Sequence, residues 1–569
     1  MINAAWWLNT VWMLSCRKAS RAFHAALMDV AATQWKLLRA TLAANAETDF
    51  GREHKFRDIR SVADFQARVP VRTYEQLSPW IERVADGEDK VLTAEQVLLF
   101  QPTSGSSSAE KLIPYTTSLR RQFQSGIQAW IYDLFSTHPE VRNGRAYWSI
   151  SPAFGTRRFT SGGIPIGFDN DEAYLSGLEQ LLVRRLLVMP SAVSKLTSGD
   201  TFRYVTLLHL LAARDLSLIS VWSPTFLTGL VSNLLDWSER LIRDLQRGTL
   251  SETFAEPIAN ALRADLAPRS NPRRAGELRE IFRSCPRHEW AAAIWPQLKL
   301  ISCWTDASAG MYLPEMRSFF PQPELQPKGL IATEAFATFP SHALSGRALA
   351  ITSHFCEFVP AGPETTEQSP LLAQELEAGG VYRLLVTTAG GLYRYDLGDL
   401  VEVTGHAQGC PLLRFLGRAG GVSDLVGEKL SESFVSQSLE DVFDRFDFVP
   451  RFALLAPARR SPAYYRLYLQ LERNPPPKVV MRCQEELEDA LRKNPYYRHA
   501  IEIRQLAPVQ IELLDSGGPP AWQAYEAHCS ARGQTTGNMK PRVLDNSSEW
   551  ELIFAELQRS QGVRTTISV

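Results

Sequence analysis

The chain contains 569 residues, of which 45% are hydrophobic and 22% are charged, and its formal net charge is −1. This length and composition predict a globular protein of two to four domains with a large buried core. A chain so close to neutral lacks the excess of positive charge that is typical of nucleic-acid-binding proteins, so we expect no nucleic-acid partner.

The N-terminal stretch from Ala4 to Leu14 is apolar and contains three tryptophans. Basic residues follow it at Arg17 and Lys18, whereas a secretory signal has them in front. The stretch is also too short to cross a bilayer, so we expect no integral membrane segment. It predicts an amphipathic helix that packs on the body of the protein. Peripheral membrane contact through the tryptophans is the alternative.

Seven cysteines are scattered along the chain, and no two have the Cys-x-x-Cys spacing of a metal or redox site. Such a pattern is typical of reduced thiols. We therefore expect a cytoplasmic protein, because structural disulfides belong to oxidising compartments.

Short apolar stretches alternate with helical stretches through the first half of the chain. The strands predicted there are 97–100, 112–113, 146–150, 218–222 and 298–304. Helices are predicted between them, which indicates an α/β architecture with largely parallel sheets. Further strands are predicted at 329–332, 348–353 and 355–359, with the last two forming a hairpin, before a β-rich layer that extends to residue 416.

The character of the chain changes after residue 417, where Gly420 and Gly421 offer a hinge. Beyond them the sequence predicts helices at 432–446, 485–493 and 520–532, and strands at 451–456, 464–472 and 501–506. We interpret 421–569 as a small mobile α+β domain. Residues 1–420 then form a large domain with mixed sheets and flanking helices.

A loop rich in hydroxyl groups follows the first predicted strand, with the sequence Thr103-Ser104-Gly105-Ser106-Ser107-Ser108-Ala109-Glu110-Lys111. Gly105 permits a tight turn, in which consecutive backbone N–H groups point into one concavity that suits an anion. The hydroxyl groups add donors and Lys111 adds a positive charge. The loop lacks the Gly-Lys-Ser/Thr of a Walker loop. The alternative to a phosphate loop is a solvated surface loop, since Ser and Gly dominate ordinary turns.

A hydroxyl group and a carboxylate, those of Thr333 and Glu334, directly follow the strand predicted at 329–332. Ligands of open α/β sheets bind beyond the carboxyl ends of the strands. Thr333 can bond an α-phosphate there, and Glu334 can hold Mg²⁺, which prefers oxygen ligands. The alternative is the N-cap of a helix, where Thr followed by Glu is common.

Three more charged residues follow in order along the chain. Asp399, next to Gly398, can accept hydrogen bonds from both hydroxyls of a ribose, and its alternative role is turn formation. Arg418 can contact a phosphate or the ribose. Lys540 follows a loop that contains a glycine. Taken alone, Arg418 and Lys540 are solvated charges, but the order and spacing of all these stretches favour one nucleotide site.

Together these residues resemble the acyl-adenylate-forming superfamily, and more narrowly the Gretchen Hagen 3 family of acyl acid amido synthetases, which is auxin-responsive in plants and has bacterial relatives. The resemblance extends from about Asn45 to Leu544. It rests on the loop from Thr103 to Pro114 and on the motifs Asn45-Ala46-Glu47, Val69-Pro70-Val71-Arg72-Thr73-Tyr74-Glu75, Phe355-Cys356-Glu357-Phe358-Val359-Pro360, Gly391-Leu392-Tyr393-Arg394-Tyr395, Gly398-Asp399, Gly427-Glu428-Lys429-Leu430 and Lys540-Pro541-Arg542. The motifs at 355–360 and 391–395 are specific to the narrower family.

The resemblance implies a ligase that uses ATP and Mg²⁺ in two steps. A carboxylic acid is activated as an acyl-AMP with release of pyrophosphate, and an amine, typically an amino acid, then takes the acyl group. The large domain would bind ATP and the acid, and the small domain would close over them with Lys540. The implied catalytic residues are Lys540, Thr333 and Glu334, with Glu334 as the metal ligand. The implied ATP-binding residues are Thr103, Ser104, Gly105, Ser106, Ser107, Ser108, Lys111, Thr333, Asp399 and Arg418.

Some positions depart from the family pattern and keep other functions open. Ser108 replaces a glycine, Glu110 replaces a usual proline, and Asp396 replaces an arginine. A nucleotide-binding regulator without turnover is consistent with these changes, and an acyl-CoA synthetase would use the same fold. A purely structural scaffold is disfavoured by the ordered series of polar stretches. We expect an amine rather than CoA as the acceptor, because no cluster of Lys and Arg near the hinge would bind the 3′-phosphate of CoA.

Overall fold

The computed structural model describes residues 3–103, 111–149, 158–167, 177–196, 198–255, 260–361, 369–419, 421–458, 462–532, 539 and 541–562. The chain forms two compact units. The first consists of Met1–Val221, Ser232–Cys303 and Gln322–Phe415, and the second of Trp222–Val231, Trp304–Pro321 and Leu416–Val569. The second unit thus includes two short segments from the middle of the chain, which no pattern in the sequence predicts. The division into domains 1–420 and 421–569 stays a prediction.

Helices occur throughout the described chain. They are α1 (Ala4–Ala26), α2 (Val30–Ala44), α3 (Asp49–Glu53), α4 (Val62–Arg68), α5 (Tyr74–Ala85), α6 (Thr117–Thr137), α7 (Gly177–Leu186), α8 (Gly199–Ala212), α9 (Pro224–Ser232), α10 (Leu234–Arg247), α11 (Glu252–Ala255), α12 (Asn260–Leu266), α13 (Pro272–Ser284), α14 (Trp290–Ile294), α15 (Leu313–Phe319), α16 (Glu432–Phe446), α17 (Pro477–Leu491), α18 (Pro495–Glu502), α19 (Ala521–Ala531) and α20 (Trp550–Gly562).

The strands are shorter and most belong to the first unit. They are β1 (Leu99–Pro102), β2 (Leu112–Tyr115), β3 (Arg145–Trp148), β4 (Arg158–Phe159), β5 (Pro165–Ile166), β6 (Leu216–Ser220), β7 (Leu300–Cys303), β8 (Glu324–Pro327), β9 (Thr338–Ser341), β10 (Gly346–Leu349), β11 (Phe355–Pro360), β12 (Leu371–Leu372), β13 (Val381–Thr387), β14 (Tyr395–Ala407), β15 (Cys410–Arg418), β16 (Val422–Ser423), β17 (Leu430–Ser431), β18 (Pro450–Ala458), β19 (Ala463–Leu471) and β20 (Leu506–Leu514).

The first unit contains a parallel sheet in the order β3-β6-β7-β8. All residues of β6 and β7 are buried, and the only polar residues in these two strands are small serines among apolar side chains. Helices α7 and α8 connect β3 to β6, and α10 to α14 lie between β6 and β7 in sequence. The predicted α/β alternation is therefore confirmed, because helices follow the parallel strands along the chain and the strands are buried.

A seven-stranded sheet in the order β12-β11-β13-β14-β15-β10-β9 supplies the predicted β-rich layer. Strands β11, β13 and β14 pair antiparallel in succession. The predicted hairpin of 348–353 with 355–359 is wrong, because β10 pairs with β9 and β15 instead. The reason is Gln34 of α2. Its amide donates to the carbonyls of Ile351 and His354 and accepts from Cys356 N–H, which occupies the backbone groups between the two strands.

The predicted N-terminal helix packs on the body of the first unit. Trp12 is 3% exposed and contacts Phe135 of α6 edge to face, with ring centroids 5.6 Å apart. Asn9 donates to the carbonyls of Arg142 and Gly144 at 3.0 and 2.9 Å. The packing prediction for α1 is therefore confirmed, although Trp7 on its outer side remains 59% exposed.

The second unit contains a three-stranded sheet in the order β18-β19-β20, with β18 antiparallel and β20 parallel to β19. The helix predicted at 432–446 is α16, and the Ser431 side chain caps it by accepting from Phe434 N–H. The strand predicted at 501–506 is wrong, since α18 continues to Glu502. Asn494 caps that helix and Pro495 opens it, a combination that favours a helix start.

No described helix combines the length and the apolar character that crossing a membrane requires. The seven cysteines are all free thiols, as their scattered spacing predicts. Six of them are buried, and only Cys285 is partly exposed.

Candidate functional site

Thr103 and Lys111 mark the two ends of the predicted phosphate loop. Strands β1 and β2 pair antiparallel up to Pro102 and Leu112, and Thr103 N–H then donates to the Lys111 carbonyl at 2.9 Å. The loop therefore leaves and rejoins the hairpin at one hydrogen-bonded pair, and the predicted strand–loop–strand arrangement is confirmed. Ser104, Gly105, Ser106, Ser107 and Ser108 lie outside the described residues, so their roles stay predictions.

The Lys111 side chain rests against the segment that carries Tyr74 and Glu75. Its ammonium group lies 3.4 Å from the Glu75 carboxylate and 5.3 Å from the centre of the Tyr74 ring. The pKa of Glu75 is lowered, first by its own backbone N–H, then by the Thr73 hydroxyl, and less by Lys111. Because the Glu75 side chain is 66% exposed, this ion pair is weak.

Thr333 and Glu334 occupy the tip of a tight turn. Ile331 and Phe336 form an isolated antiparallel bridge, and Ala332 N–H donates to the Ala335 carbonyl at 2.9 Å. The chain then enters β9. The helix N-cap is therefore wrong as an alternative, because no helix follows Thr333.

The strand predicted at 329–332 is also wrong, and Thr338 explains why. Its hydroxyl accepts the Leu330 N–H at 2.7 Å, and its own N–H donates to the Leu330 carbonyl at 3.0 Å. A β-carbon on Gly329 would lie 2.0 Å from the Thr338 carbonyl oxygen, so only glycine permits this close approach. The segment is consequently folded back on β9 and cannot join a neighbouring strand.

Two tyrosines from distant parts of the sequence hold the turn in place. Tyr115, at the end of β2, donates its hydroxyl to the Thr333 carbonyl at 2.6 Å. Tyr395, at the start of β14, has its hydroxyl 3.5 Å from a Glu334 carboxylate oxygen. Glu334 is only 4% exposed. The strand that leaves the phosphate loop is thus tied directly to the turn that carries Thr333 and Glu334.

A buried histidine fixes the far side of the same turn. Phe336 N–H donates to His354 Nε2 at 3.1 Å, so His354 Nδ1 carries the proton and donates to the Gln122 carbonyl at 3.1 Å. That oxygen of Gln122 also accepts from Ala389 N–H at 2.9 Å. Burial lowers the pKa of His354 to about 3, which keeps the ring neutral as this network requires.

Asp399 lies inside β14, where it is 4% exposed. Leu385 of β13 pairs with Asp396 but Arg383 pairs with Leu400, so residues 397–399 together face a single residue of β13. Gly398, at φ +71°, supplies the left-handed conformation of this bulge. The turn-residue alternative for Asp399 is therefore wrong. Its side chain shares the buried face of β14 with Tyr395.

The aspartate that replaces the family's arginine, Asp396, is fully engaged. Its carboxylate lies 3.0 Å from Arg383 Nε and accepts from Gly398 N–H at 2.8 Å. Burial raises the pKa of Asp396, and both of these contacts oppose that effect. Asp396 therefore bonds to the backbone of the bulge next to Asp399.

The two motifs specific to the narrower family meet in a buried ion pair. Arg394 Nε lies 3.0 and 3.2 Å from the two oxygens of Glu357, and the side chains are 4% and 1% exposed. Arg394 also donates to the carbonyls of Val69 and Gln66, at 2.7 and 3.0 Å, and Gln66 donates to Glu357 at 2.9 Å. Sequence reasoning assigned no role to this pair, which joins three parts of the first unit directly before Tyr395.

Lys328 is a further candidate that the sequence did not indicate. It directly follows β8 and is 8% exposed, and its ammonium group donates to the hydroxyl of Ser220, the last residue of β6, at 2.8 Å. A buried cation thus lies at the carboxyl ends of the parallel strands, where sheets of this type bind ligands. No pattern in the sequence marks it, because β8 has the mixed sequence Glu-Leu-Gln-Pro and no strand is predicted there.

Arg418 and Lys540 belong to the second unit. Arg418 ends β15 and is exposed, and Lys540 lies outside the described residues. The residues that flank Lys540 are fixed within the second unit. Ser308 donates to the Pro541 carbonyl, and Leu455 N–H of β18 donates to Val543 at 2.7 Å. The roles of Arg418 and Lys540 stay predictions.

Three family models match the chain. They are the GH3 family N-terminal domain over residues 19–325, the central domain over 347–418 and the C-terminal domain over 436–549. Together they account for most of the chain, including both motifs that meet at the ion pair.

Characterised and solved proteins match nearly the whole chain. It is 24% identical to the indole-3-acetic acid-amido synthetase GH3.3 of Arabidopsis thaliana, covering 94% of this chain and 93% of that protein. It is 26% identical to the putative indole-3-acetic acid-amido synthetase GH3.9 of the same plant, covering 85% and 88%. The structure of the AtGH3.15 acyl acid amido synthetase in complex with 2,4-DB superposes with a TM-score of 0.83 at 20% identity, covering 96% of each chain. This likeness confirms the predicted fold class.

Proposed function

The chain belongs to the GH3 family, and from this premise we propose that it is an ATP-dependent acyl acid amido synthetase. The observation that carries the proposal is the match of the three family domains in order along the chain. The folding of Thr333 and Glu334 into a turn tied to the phosphate-loop strand supports it. The substrates are a carboxylic acid, ATP and an amine such as an amino acid.

The reaction has two steps. A carboxylate oxygen of the acid attacks the α-phosphorus of ATP, the bond to the β-phosphate oxygen breaks, and pyrophosphate leaves. The amine nitrogen then attacks the acyl carbon, the bond from that carbon to the AMP oxygen breaks, and the amine releases a proton. An amide and AMP are the products.

In the first unit, the phosphates of ATP are assigned to the loop between Thr103 and Lys111 and to the hydroxyl of Thr333. Lys111 is free to leave its weak pair with Glu75. Asp399 is assigned to the ribose, because a buried carboxylate gains most from two hydroxyl donors. Arg418 is assigned to a further contact with ATP, and Lys540 to stabilisation of the charge that develops during adenylation.

Glu334 fits the role of a Mg²⁺ ligand. Its carboxylate is buried, and the Tyr395 hydroxyl lies 3.5 Å from one of its oxygens. Oxygen ligands of this kind suit a hard cation that also binds phosphate oxygens. The bound ion would neutralise charge on the phosphates. Tyr395 orients the Glu334 carboxylate for this task.

We also propose a cytoplasmic location. All seven thiols are free, and a reducing compartment maintains that state.

A panel of carboxylic acids assayed for pyrophosphate release tests the proposal. We expect release with an accepted acid, ATP and Mg²⁺, and an amide product only when the right amino acid is added. Glu334→Gln should lower release roughly a hundredfold, as for the loss of one transition-state contact. Glu280→Gln, on the exposed surface of α13, is the matched control.

The products distinguish the rival functions. If the main product is an acyl thioester of CoA, the protein is an acyl-CoA synthetase and not an amido synthetase. Binding of ATP without pyrophosphate release for any acid in the panel would favour the nucleotide-binding regulator.

A further inference from the structure

We propose that His138, Glu324 and His342 of the first unit form a zinc-binding site. One ligand atom from each of the three side chains can be chosen so that all lie within 4.8 Å of one another. His138 Nε2 is 3.0 Å from one Glu324 oxygen, and His342 Nδ1 is 3.9 Å from the other. The two imidazole rings stand edge to face, with centroids 4.2 Å apart.

The ligands come from three separate elements that are already held in place. His138 directly follows α6, Glu324 is the first residue of β8, and His342 follows β9. Asp133 of α6 accepts from His342 N–H at 2.8 Å, and also from Ser341 and Ala343. The backbone that carries His342 is therefore fixed to α6 before any ion arrives.

The set of donor atoms suits zinc rather than magnesium or calcium. Two imidazole nitrogens and one carboxylate oxygen are typical zinc ligands, whereas magnesium and calcium prefer oxygen alone. The Glu324 side chain is 52% exposed and those of His342 and His138 are 26% and 11% exposed. The site thus opens to solvent on the carboxylate side, so a water can complete the coordination and Glu324 can rotate to tighten it.

The hydrogen bonds behind His138 turn its Nε2 towards Glu324, where either a proton or a metal ion can lie between the two atoms. The Thr137 hydroxyl donates to the Asp133 carbonyl at 2.7 Å, so its oxygen accepts from His138 Nδ1–H at 3.1 Å. The lone pair of Nε2 then faces a carboxylate oxygen 3.0 Å away. Two acceptors this close require a proton or a metal ion between them. A metal-bound histidine usually donates its other ring N–H to a fixed acceptor, and the Thr137 hydroxyl oxygen is placed to be that acceptor for His138.

Zinc binding through His342 requires a change of tautomer. Trp130 Nε1–H donates to Gln326 Oε1, so the Gln326 amide group donates to His342 Nε2 and leaves the proton on Nδ1. Coordination through Nδ1 moves that proton to Nε2 and turns the Gln326 amide, at the cost of the bond to Trp130.

The site is separate from the residues assigned to adenylation. Glu324 begins β8, whereas the carboxyl edge of the parallel sheet, with Lys328, lies at the other end of that strand. A zinc ion here would link α6, β8 and β9, which stabilises the first unit without taking part in the chemistry.

Calorimetric titration of the full chain, stripped with a chelator, free of any affinity tag and kept in excess Mg²⁺, tests the site. We expect one Zn²⁺ per chain, with proton release that appears as a dependence of the heat on buffer ionisation. His138→Ala, His342→Ala and Glu324→Gln should each weaken binding roughly 10- to 100-fold or more, since even the loss of outer partners of metal ligands has this effect. His288→Ala, whose side chain is 73% exposed, is the matched control.

A Co²⁺ spectrum separates this site from cysteine binding. We expect visible ligand-field bands without thiolate charge transfer, and their loss in His342→Ala. Glu324→Gln changes an exposed side chain and should leave the fold intact. The titration of the wild type shows whether the protein binds Zn²⁺ at all, and it needs no variant. Absence of saturable binding, affinity unchanged in all three variants, or a thiolate band would each overturn the proposal.

Discussion

His354 should make the first unit less stable as the pH falls below 6.5. The ring is buried and neutral, and it accepts from Phe336 N–H behind the turn that carries Thr333 and Glu334. Burial lowers its pKa from the ordinary value of 6.5 to about 3. In the unfolded chain the same ring titrates normally, so between these two values the unfolded state binds a proton that the folded state excludes.

The size of the effect follows from the two pKa values. Each unit of difference is worth about 1.4 kcal/mol. From pH 7.5 to pH 5 the unfolded state gains about 2 kcal/mol relative to the folded state from this residue alone. The loss continues towards pH 3, where the folded ring also begins to titrate.

Urea unfolding of the wild type and of His354→Gln, at pH 7.5 and pH 5, measures this contribution. Gln stays neutral and can accept from Phe336 N–H, so the variant should lose about 2 kcal/mol less than the wild type on acidification. Hydrogen exchange of the peptide that contains Phe336 reports the same change locally. His288→Gln is the exposed control. If wild type and His354→Gln lose equal stability, His354 does not bind its proton as the structure requires.

Three further substitutions test the assigned roles. Lys540→Ala should lower acid-dependent pyrophosphate release roughly a hundredfold with little change in ATP binding, and wild-type rates would remove Lys540 from the chemistry. Asp399→Ala should weaken ATP binding by roughly 10- to 100-fold in a folded protein, as measured by calorimetry, because a charged acceptor of the ribose is lost. Arg394→Met should destabilise the first unit by about 3–5 kcal/mol, since it leaves Glu357 buried without its partner. The double variant Arg394→Met/Glu357→Leu should recover part of that loss in urea unfolding, and no recovery would argue against coupling.

Capping residues and apolar runs predicted the helices and strands whose bounds depend on neighbouring residues. Helix α16 begins and ends where the sequence predicted, because Ser431 caps it and Asp447 ends it at φ +54°. Strands β1 and β2 were recognised from their apolar runs on either side of a hydroxyl-rich loop. In each case the determining residues lie within a few positions of the element.

Two of the errors arose where a side chain from outside the predicted strand satisfies its backbone groups. Gln34 takes the backbone groups between β10 and β11, more than 300 residues away in sequence. Thr338 takes the N–H of Leu330, so that an apolar run with strand character folds into a turn. Apolar periodicity carries no information about either partner, because it reports burial and not hydrogen bonding.

The candidate site shows the same division. The sequence indicated Thr333, Glu334 and Asp399 by residue type and order, and the structure buries both carboxylates in the first unit. It did not indicate Tyr115 or Tyr395, which position the turn. A tyrosine at a strand end has no distinctive spacing, and its role depends on which loop the fold brings within reach of its hydroxyl.

The Glu357–Arg394 pair explains why the most family-specific motifs contain no residue assigned to the chemistry. Arg394 adopts φ +47°, an unfavourable conformation for a residue with a side chain, and its guanidinium group is held by one carboxylate and two backbone carbonyls. That backbone conformation sets the start of β14, and Tyr395, the next residue, reaches Glu334. The position of Tyr395 beside Glu334 therefore depends on both members of the Glu357–Arg394 pair. The two motifs that are specific to the narrower family thus form a framework that places Tyr395 beside Glu334.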